Sequence, residues 1–355
     1  MQMVNGRLDP LQYTLLSVDS VTAKNQLTIK PIRLNIIFLK ERIIVKGKDQ
    51  MKNFRKSAFG YSTKCNVRCE HCVATGEIPH TSTMALSTAK SIISKMAAAD
   101  VKGISFTAGE PLIFLSEIIE LIKICTINNI YSRVVTNGFW AKTSQLSDTI
   151  ILQLKSAGLS QLRISFSRWH QKNIDRQNIV NAAESCKKAR INYFISFVTD
   201  FSKEDEEYED FLRNNNLKFF PEPVIFAGKA ESFKRRELFT DYQDNCCPMN
   251  PYISPDLDMF ACCDAGTHFT NTNFFHLGNL ANNSIDELFL KSETNSLYNH
   301  IRNMGITTLA SFAGFKSRDI IKYRKCELCK LIFNSPDRLK SLEKVSDTLL
   351  NDWYR

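Results

Sequence analysis

The sequence predicts an α/β fold on a parallel sheet, followed by a smaller cysteine-dependent module, and three observations carry that expectation. From residue 57 onward, short apolar runs alternate with segments of helical periodicity. Near Pro221 this rhythm stops, and Pro221, Pro223, Pro248, Pro251 and Pro255 punctuate a stretch that also holds Lys234, Arg235 and Arg236. The eleven cysteines are grouped: three fall in Cys65–Cys72, two pairs are adjacent, and Cys326 and Cys329 form a CxxC.

Six apolar runs read as strands: Ala58–Tyr61, Gly103–Thr107, Ser132–Thr136, Gln161–Phe166, Asn192–Val198 and Leu217–Phe226. Between them, Ala85–Ala98, Leu112–Ile127, Ser144–Ala157, Ile174–Ala189 and Lys203–Arg213 read as helices. Strand, helix and strand in succession imply parallel pairing through right-handed crossovers. Local signals agree: Ser87 sits in the first turn of the first helix, and Gly158 lies just past the third, where a left-handed cap belongs. Six carboxylates between Glu204 and Asp210 crowd the start of the fifth helix, suiting the positive end of its dipole, and read as a solvated face.

The expected organisation is a basic extension over residues 1–56, a barrel over 57–234, a cysteine module over 235–335 and a helical tail over 336–355. Met51 opens a stretch running straight into the first cysteine group. Residues 1–50 therefore read as an addition upstream of an internal start, or as a small lobe with a strand at Leu34–Leu39. In 355 residues, 43% apolar and 23% charged side chains exclude a disordered or low-complexity chain. No apolar run approaches the ~18 residues of a spanning helix, so a cytoplasmic protein without membrane contact is expected. The net charge of +9 suggests nucleic acid at first sight, but residues 1–64 hold twelve basic against four acidic residues and leave the body nearly neutral. That distribution disfavours an RNA-binding role and reads more simply as a solvated arm.

A chain of this type, without a signal peptide, uses thiols for metals or chemistry rather than disulfides. Cys125 and Cys186 stand alone in helical stretches and read as small buried apolar side chains. Cys65, Cys69 and Cys72 follow the first strand in a loop that must wrap back for three thiolates to converge. Three close cysteines hold three irons of a [4Fe–4S] cluster and leave the fourth open to a ligand. A structural zinc is the competing reading, but it wants four closed ligands, and His71 beside Cys72 is poorly placed to supply one.

The spacing CxxxCxxC, placed after the first strand, resembles the radical S-adenosylmethionine (SAM) superfamily, whose fold is a partial (β/α)6 barrel. The resemblance implies that Cys65, Cys69 and Cys72 are catalytic as ligands of a cluster whose open iron is chelated by SAM. One electron then cleaves the sulfonium to a 5′-deoxyadenosyl radical that abstracts hydrogen from substrate. His71, within the motif, is assigned to the cofactor site. Ala108-Gly109-Glu110-Pro111 is similar to the family's GGEP, which implies that this backbone and Glu110 hold the methionine amino group; Ala108 departs from the first Gly by one methyl. Asn137, in the Thr136-Asn137-Gly138 turn, resembles a turn at the family's barrel rim. Ser165 or Ser167 would meet the SAM ribose, although many relatives carry Asp where Ser167 stands, and His170 would face substrate or cap a helix.

Cys247 and Cys262 flank a segment that reads as two short strands folded at Ser254-Pro255-Asp256, so hairpin closure brings their sulfurs together. Cys326 and Cys329 complete four thiolates. The CX14C…CX2C pattern, with His276-Leu277-Gly278-Asn279-Leu280 and then Ser284–Leu288, resembles the twitch domain, a shortened relative of the SPASM extension; Leu257 stands where that family usually has Gly. The resemblance spans roughly residues 57–332. It implies one auxiliary [4Fe–4S] cluster on Cys247, Cys262, Cys326 and Cys329; a four-cysteine zinc knuckle is the alternative. Cys246 and Cys263 read as spare, or one of them as a hydrogen-atom donor.

The implied function is radical SAM modification of a ribosomally made precursor peptide, by cross-linking, thioether formation or epimerisation, with a flavodoxin- or ferredoxin-type electron donor. A small-molecule (sugar or alcohol) dehydrogenase or epimerase shares every motif; an RNA-modifying enzyme or a non-catalytic metal scaffold fits less well.

Overall fold

The computed structural model describes residues 55–73, 81–233, 247–262, 267 and 272–353. The expected strand at Leu34–Leu39, almost all of the basic extension, Cys246 and Cys263 lie outside the described residues. Residues Phe54–Arg355 form one compact unit.

Six strands pair in parallel and in chain order: β1 (Arg55–Gly60), β2 (Val101–Thr107), β3 (Tyr131–Thr136), β4 (Gln161–Phe166), β5 (Asn192–Thr199) and β6 (Phe219–Pro223). Helices α1 (Leu86–Ala98), α2 (Leu115–Ile127), α3 (Ser144–Ala157), α4 (Arg176–Ala189) and α5 (Lys203–Asn214) return the chain between them. Monotonic order with a helix at every return, the first of which also spans the cysteine loop, is the winding of a partial barrel, the predicted architecture.

Strand side chains alternate, and the alternation divides the protein into packing and chemistry. One parity, including Phe59, Phe106, Val134, Ile164, Phe166 and Phe197, is buried against helix residues such as Ile93, Met96, Leu121, Ile151 and Ile179. Each such side chain contributes on the order of 1.5–3 kcal/mol by leaving water. The opposite parity carries Lys56, Ser105, Arg133, Arg163, Ser165, Ser196 and Glu222, and these line a cavity.

Helix boundaries differ from expectation where local hydrogen bonds decide them. Asp175 accepts from Gln177 N at 2.8 Å, so α4 starts at Arg176 rather than at 174. Residues Pro111–Phe114 form a 3-10 turn ahead of α2, with Glu110 as its cap. Gly158 closes α3 at φ +95. The sixth strand shortens to Phe219–Pro223 and is one edge of the sheet, where two prolines leave no ladder bond unmade on an inner neighbour. Asp205 corrects the expected solvated face of α5: it is buried and bonds the Arg168 guanidinium at 2.5 Å and Thr199 Oγ1 at 2.6 Å.

Past residue 246 the chain returns to the same sheet. β7 (Tyr252–Ile253) pairs parallel to β1, and β8 (Asp258–Phe260) and β9 (His276–Asn279) add antiparallel, so the hairpin anticipated around Ser254–Asp256 extends the barrel sheet at its first strand. Asn279 then donates to Asp256 O at 3.0 Å and to Asp258 Oδ1 at 2.9 Å, tying the Leu-Gly-Asn turn to the hairpin tip. Ser284 and Glu287 form a reciprocal capping box that starts α6 (Ile285–Thr294). Helices α7 (Ser296–Asn303), α8 (Ile306–Phe312), α9 (Lys325–Phe333) and α10 (Pro336–Trp353) complete the chain. Among the described residues no helix is long and apolar enough to cross a membrane.

Candidate active site

The cavity, about 910 Å³, runs along the inner faces of the parallel strands to their C-terminal ends, where the loops after β1, β2 and β3 line it. Loop ends of a parallel sheet are where substituents from separate strands converge, because each strand delivers its C-terminal loop to the same rim. Cys65, Cys69 and Cys72 all line it. Burial pushes the Cys65 thiol up to about 11 and the Cys69 thiol to about 12, and the charge of neighbouring cysteines adds to both. Two thiols held neutral by burial beside a third cysteine are a donor set that a cation would relieve.

The cysteine loop is held mainly by backbone. Cys72 N donates to Cys69 O at 3.2 Å, and Lys229 N, from the segment after β6, donates to Cys72 O at 3.2 Å. A Cβ on Gly228, at φ +57, would stand 2.9 Å from that same carbonyl. On the other side, Glu110 N donates to Lys64 O at 2.9 Å. Nothing local to the cysteines signals the bracing by residues 228 and 229.

Glu110 is buried, with its carboxylate spanning two loops. Oε1 accepts from Leu112 N at 3.1 Å and from Thr136 Oγ1 at 2.8 Å, while Oε2 accepts from Asn137 N at 2.7 Å. A carboxylate accepts about four hydrogen bonds, which leaves one site on Oε2 for a further donor. Burial raises this carboxyl to about 7, against the opposing pull of its three donors. Asn137 Nδ2 reaches Asn66 Oδ1 at 2.9 Å, so the rim turn is fastened to the cysteine loop directly. Ala108 and Gly109 line the cavity; Pro111 does not, and instead opens the turn that Glu110 caps.

The two serines part company. Ser165 lines the cavity. Ser167 is fully buried and caps the short helix Arg168–Gln171, its hydroxyl lying 3.2 Å from His170 N and 2.7 Å from His170 Nδ1. That is local work a strand-end serine does, and it leaves Ser167 without a place on the cavity wall. His170 itself does line the cavity, and burial lowers its imidazole to about 4.

His71 is not turned away from the thiols. Its ring stacks on Trp169 at 4.7 Å, meets His170 edge-on at 4.7 Å, and keeps Nδ1 buried with no protein partner. Cys69 Sγ and one nitrogen of each histidine lie within 4.8 Å of one another. The stack is held from behind by Arg168, which sits 4.0 Å over the Trp169 ring and bonds Asp200 and Asp205.

The four later cysteines share the core around the hairpin. Cys247 and Cys262 flank β7 and β8, and Cys326 and Cys329 lie one turn apart on α9, where an i, i+3 pair shares a face. Burial raises the Cys329 thiol well above its usual range, and the charges of Cys326, Cys262 and Cys247 all add to the effect. Arg324, just before α9, donates to Val224 O at 2.8 Å and so links the CxxC helix to the end of β6. Cys125 and Cys186 are fully buried on α2 and α4, as expected of apolar residues.

Residues 60–213 match the family model of the radical SAM superfamily. A protein of Bacillus subtilis (strain 168), YydG, whose name assigns it to peptide biosynthesis, is 22% identical over 316 residues, covering 82% of this chain and 96% of its own. Among solved structures, BtrN in complex with AdoMet and 2-DOIA aligns at a TM-score of 0.45 and 13% identity, over 70% of this chain and 87% of that one. Streptococcus suis SuiB bound to its precursor peptide SuiA aligns at 0.44 and 14%, over 87% and 84%.

Proposed function

Because this chain carries a radical SAM domain over residues 60–213, we propose that it is a radical SAM enzyme acting on a ribosomally synthesised peptide, by cross-linking, thioether formation or epimerisation. One observation carries the reading: Cys65, Cys69 and Cys72 from the loop after β1 and Glu110 from the loop after β2 line one cavity of about 910 Å³. The peptide rests on the likeness to YydG over nearly that protein's whole length.

Cys65, Cys69 and Cys72 would hold a [4Fe–4S] cluster, and the donor chemistry fits, since the Cys65 and Cys69 thiols, kept neutral chiefly by burial, gain most from a cation. When bound, the cluster supplies the electron that cleaves SAM to the 5′-deoxyadenosyl radical. Glu110 offers the open acceptor on Oε2 to the SAM ammonium, whose charge draws the carboxyl to its ionised form. Ser165 lies on the wall where the ribose is expected, and His71 presents a buried ring nitrogen that lacks a protein partner. Cys247, Cys262, Cys326 and Cys329 would hold an auxiliary cluster that takes up the electron released on substrate oxidation or fixes the hairpin. A flavodoxin- or ferredoxin-type protein is the expected donor.

A second reading has one observation in its favour. The Cys69, His71 and His170 set is a zinc-type donor group. Anaerobic purification with metal and sulfide analysis separates the two. The proposal expects about eight irons per chain from two clusters, formation of 5′-deoxyadenosine from SAM with reductant, and a mass or isotope change in peptides encoded by adjacent genes. Loss of two hydrogens identifies oxidation or cross-linking, and one deuterium gained from heavy water identifies epimerisation. Zinc in place of iron at the front site, or no SAM cleavage by iron-loaded protein, overturns it.

A further inference from the structure

Below the ring of loops the inner wall of the barrel is basic. Lys56 on β1, Arg133 on β3 and Arg163 on β4 share the cavity-facing parity, and Glu222 on β6 is the one carboxylate facing them from the strands. Arg163 bonds Glu222 and, at 2.9 Å, Ser196 Oγ, yet its Nε is buried without a partner. Arg133 donates Nε to Gln161 at 2.6 Å, and among the described residues no acceptor meets its remaining nitrogens. The two guanidinium groups, on neighbouring strands, lie 5.7 and 5.8 Å from the centroid of the same Phe194 ring, and the Arg163 charge is felt at Arg133. Burial, then the Arg163 charge, lowers Arg133 below its ordinary value, which is the mark of a cation short of a counter-charge.

We propose that the cavity selects a substrate segment bearing a carboxylate, which docks between Arg133 and Arg163 beneath the SAM site. The inference rests on the reading of the protein as a peptide-modifying enzyme and narrows it to peptides with an acidic residue next to the modified position. Planar guanidinium forks suit a carboxylate because they meet both oxygens at once. Arg163 lies two residues before Ser165 on the same face of β4, so the anion would sit one pleat repeat deeper than the expected ribose contact. Glu222 leaves the group of three cations with a net positive charge, and that charge favours an anion over its neutral isostere.

SAM also carries a carboxylate, so the test has arms for both sources. Five NBD-labelled pentapeptides, Gly-Gly-Xaa-Gly-Gly amides with Glu, Gln, Leu or Lys and a fifth with Ala and a free C-terminus, are titrated anaerobically into reconstituted wild-type protein with SAM bound. Fluorescence anisotropy reads the affinity. The Glu peptide is expected to bind at least tenfold more tightly than the Gln peptide, and the gap to close in Arg133→Gln and Arg163→Met. Arg133→Lys, which keeps the charge without the fork, is expected to retain part of it. Equal binding of the Glu and Gln peptides by the wild type overturns the proposal, as does tighter binding of the free C-terminus than of Glu. Weakened SAM binding in the variants with peptide preference intact assigns the two arginines to SAM and overturns it too. Formation of 5′-deoxyadenosine by the wild type is scored separately: its absence beside an intact Glu preference removes the enzymatic reading and leaves the anion site.

Discussion

Two adjacent residues at the end of β2 sit in the same left-handed region and are expected to respond unequally to exchange of a methyl group. Gly109 has φ +56, and a Cβ there would stand 2.3 Å from Lys64 O and 2.8 Å from Ser62 O. Both obstacles are backbone of the loop leading into Cys65, so neither can swing aside. Placing an alanine in this conformation costs about 1–2 kcal/mol, and forcing the two chains apart adds about 1–3 kcal/mol. Gly109→Ala should therefore destabilise by about 2–5 kcal/mol and break the Glu110 N to Lys64 O bond. Ala108, at φ +65, already bears its methyl, buried against Ala58 and Tyr252. Ala108→Gly relieves about 1–2 kcal/mol of backbone strain but gives up about 0.8 kcal/mol of burial and about 0.5–1 kcal/mol to the unfolded chain. Its net effect should stay within about 1 kcal/mol of zero. Urea denaturation of the reduced apo-protein, followed by far-ultraviolet circular dichroism, reads both. A Gly109→Ala change under about 1 kcal/mol, or an Ala108→Gly change larger than it, refutes the close-approach argument.

Glu110 sets a pH dependence: its folded carboxyl, at about 7, lies above the unfolded value near 4.3, so its contribution is complete at acid pH and is lost as pH rises through about 7. The wild-type urea midpoint should fall over that window more than that of Glu110→Gln, and parallel curves would refute the assignment. Arg168→Met should cost about 3–5 kcal/mol by stranding Asp200 and buried Asp205. Burial alone would raise Asp200, but Arg168 and Ser202 override it and hold the carboxyl low, so the variant's deficit should shrink once pH falls below about 4; a deficit constant down to pH 2 would show the pair to be idle. Cys247→Ala should remove about four irons per chain and spare the SAM-binding cluster; unchanged iron content would place the auxiliary ligands elsewhere.

Much of this was legible in the sequence because it is local. Strand and helix periods, the Gly158 cap and the CxxxCxxC and Ala-Gly-Glu-Pro spacings are read within windows of a few residues, and the six-stranded winding follows from their order. The functions that stayed hidden depend on residues far apart. Ser165 and Ser167 look equivalent along β4, and only the short helix after the strand claims Ser167 as its cap. Asp205 looks like one more carboxylate in an acidic run until β4 delivers Arg168 beside it. Arg133 and Arg163 are separated by 30 residues, and their meeting depends on β3–β4 register, in which Arg133 opposes Gln161 and Val135 opposes Arg163. The hairpin was read correctly, but its pairing with β1 was not expected from a proline-rich break in rhythm.

The braces around the site share a feature that bears on how it works. Several of the contacts that fix the cysteine loop and the Glu110 turn run through main-chain groups: Glu110 N to Lys64 O, Lys229 N to Cys72 O, and Asn137 N to the Glu110 carboxylate. Two of these three use no side chain at either end, and glycines at 109 and 228 are what allow the chains to come so close. Backbone braces leave one acceptor site on Glu110 Oε2 open and His71 Nδ1 buried without a protein partner, which is the condition for those groups to bind something else. They also make the geometry insensitive to what the barrel wall carries. On the proposed reading, substrate choice would then reside in Arg133 and Arg163 on the inner face of β3 and β4, while the chemistry would stay with the cysteines and Glu110 at the rim.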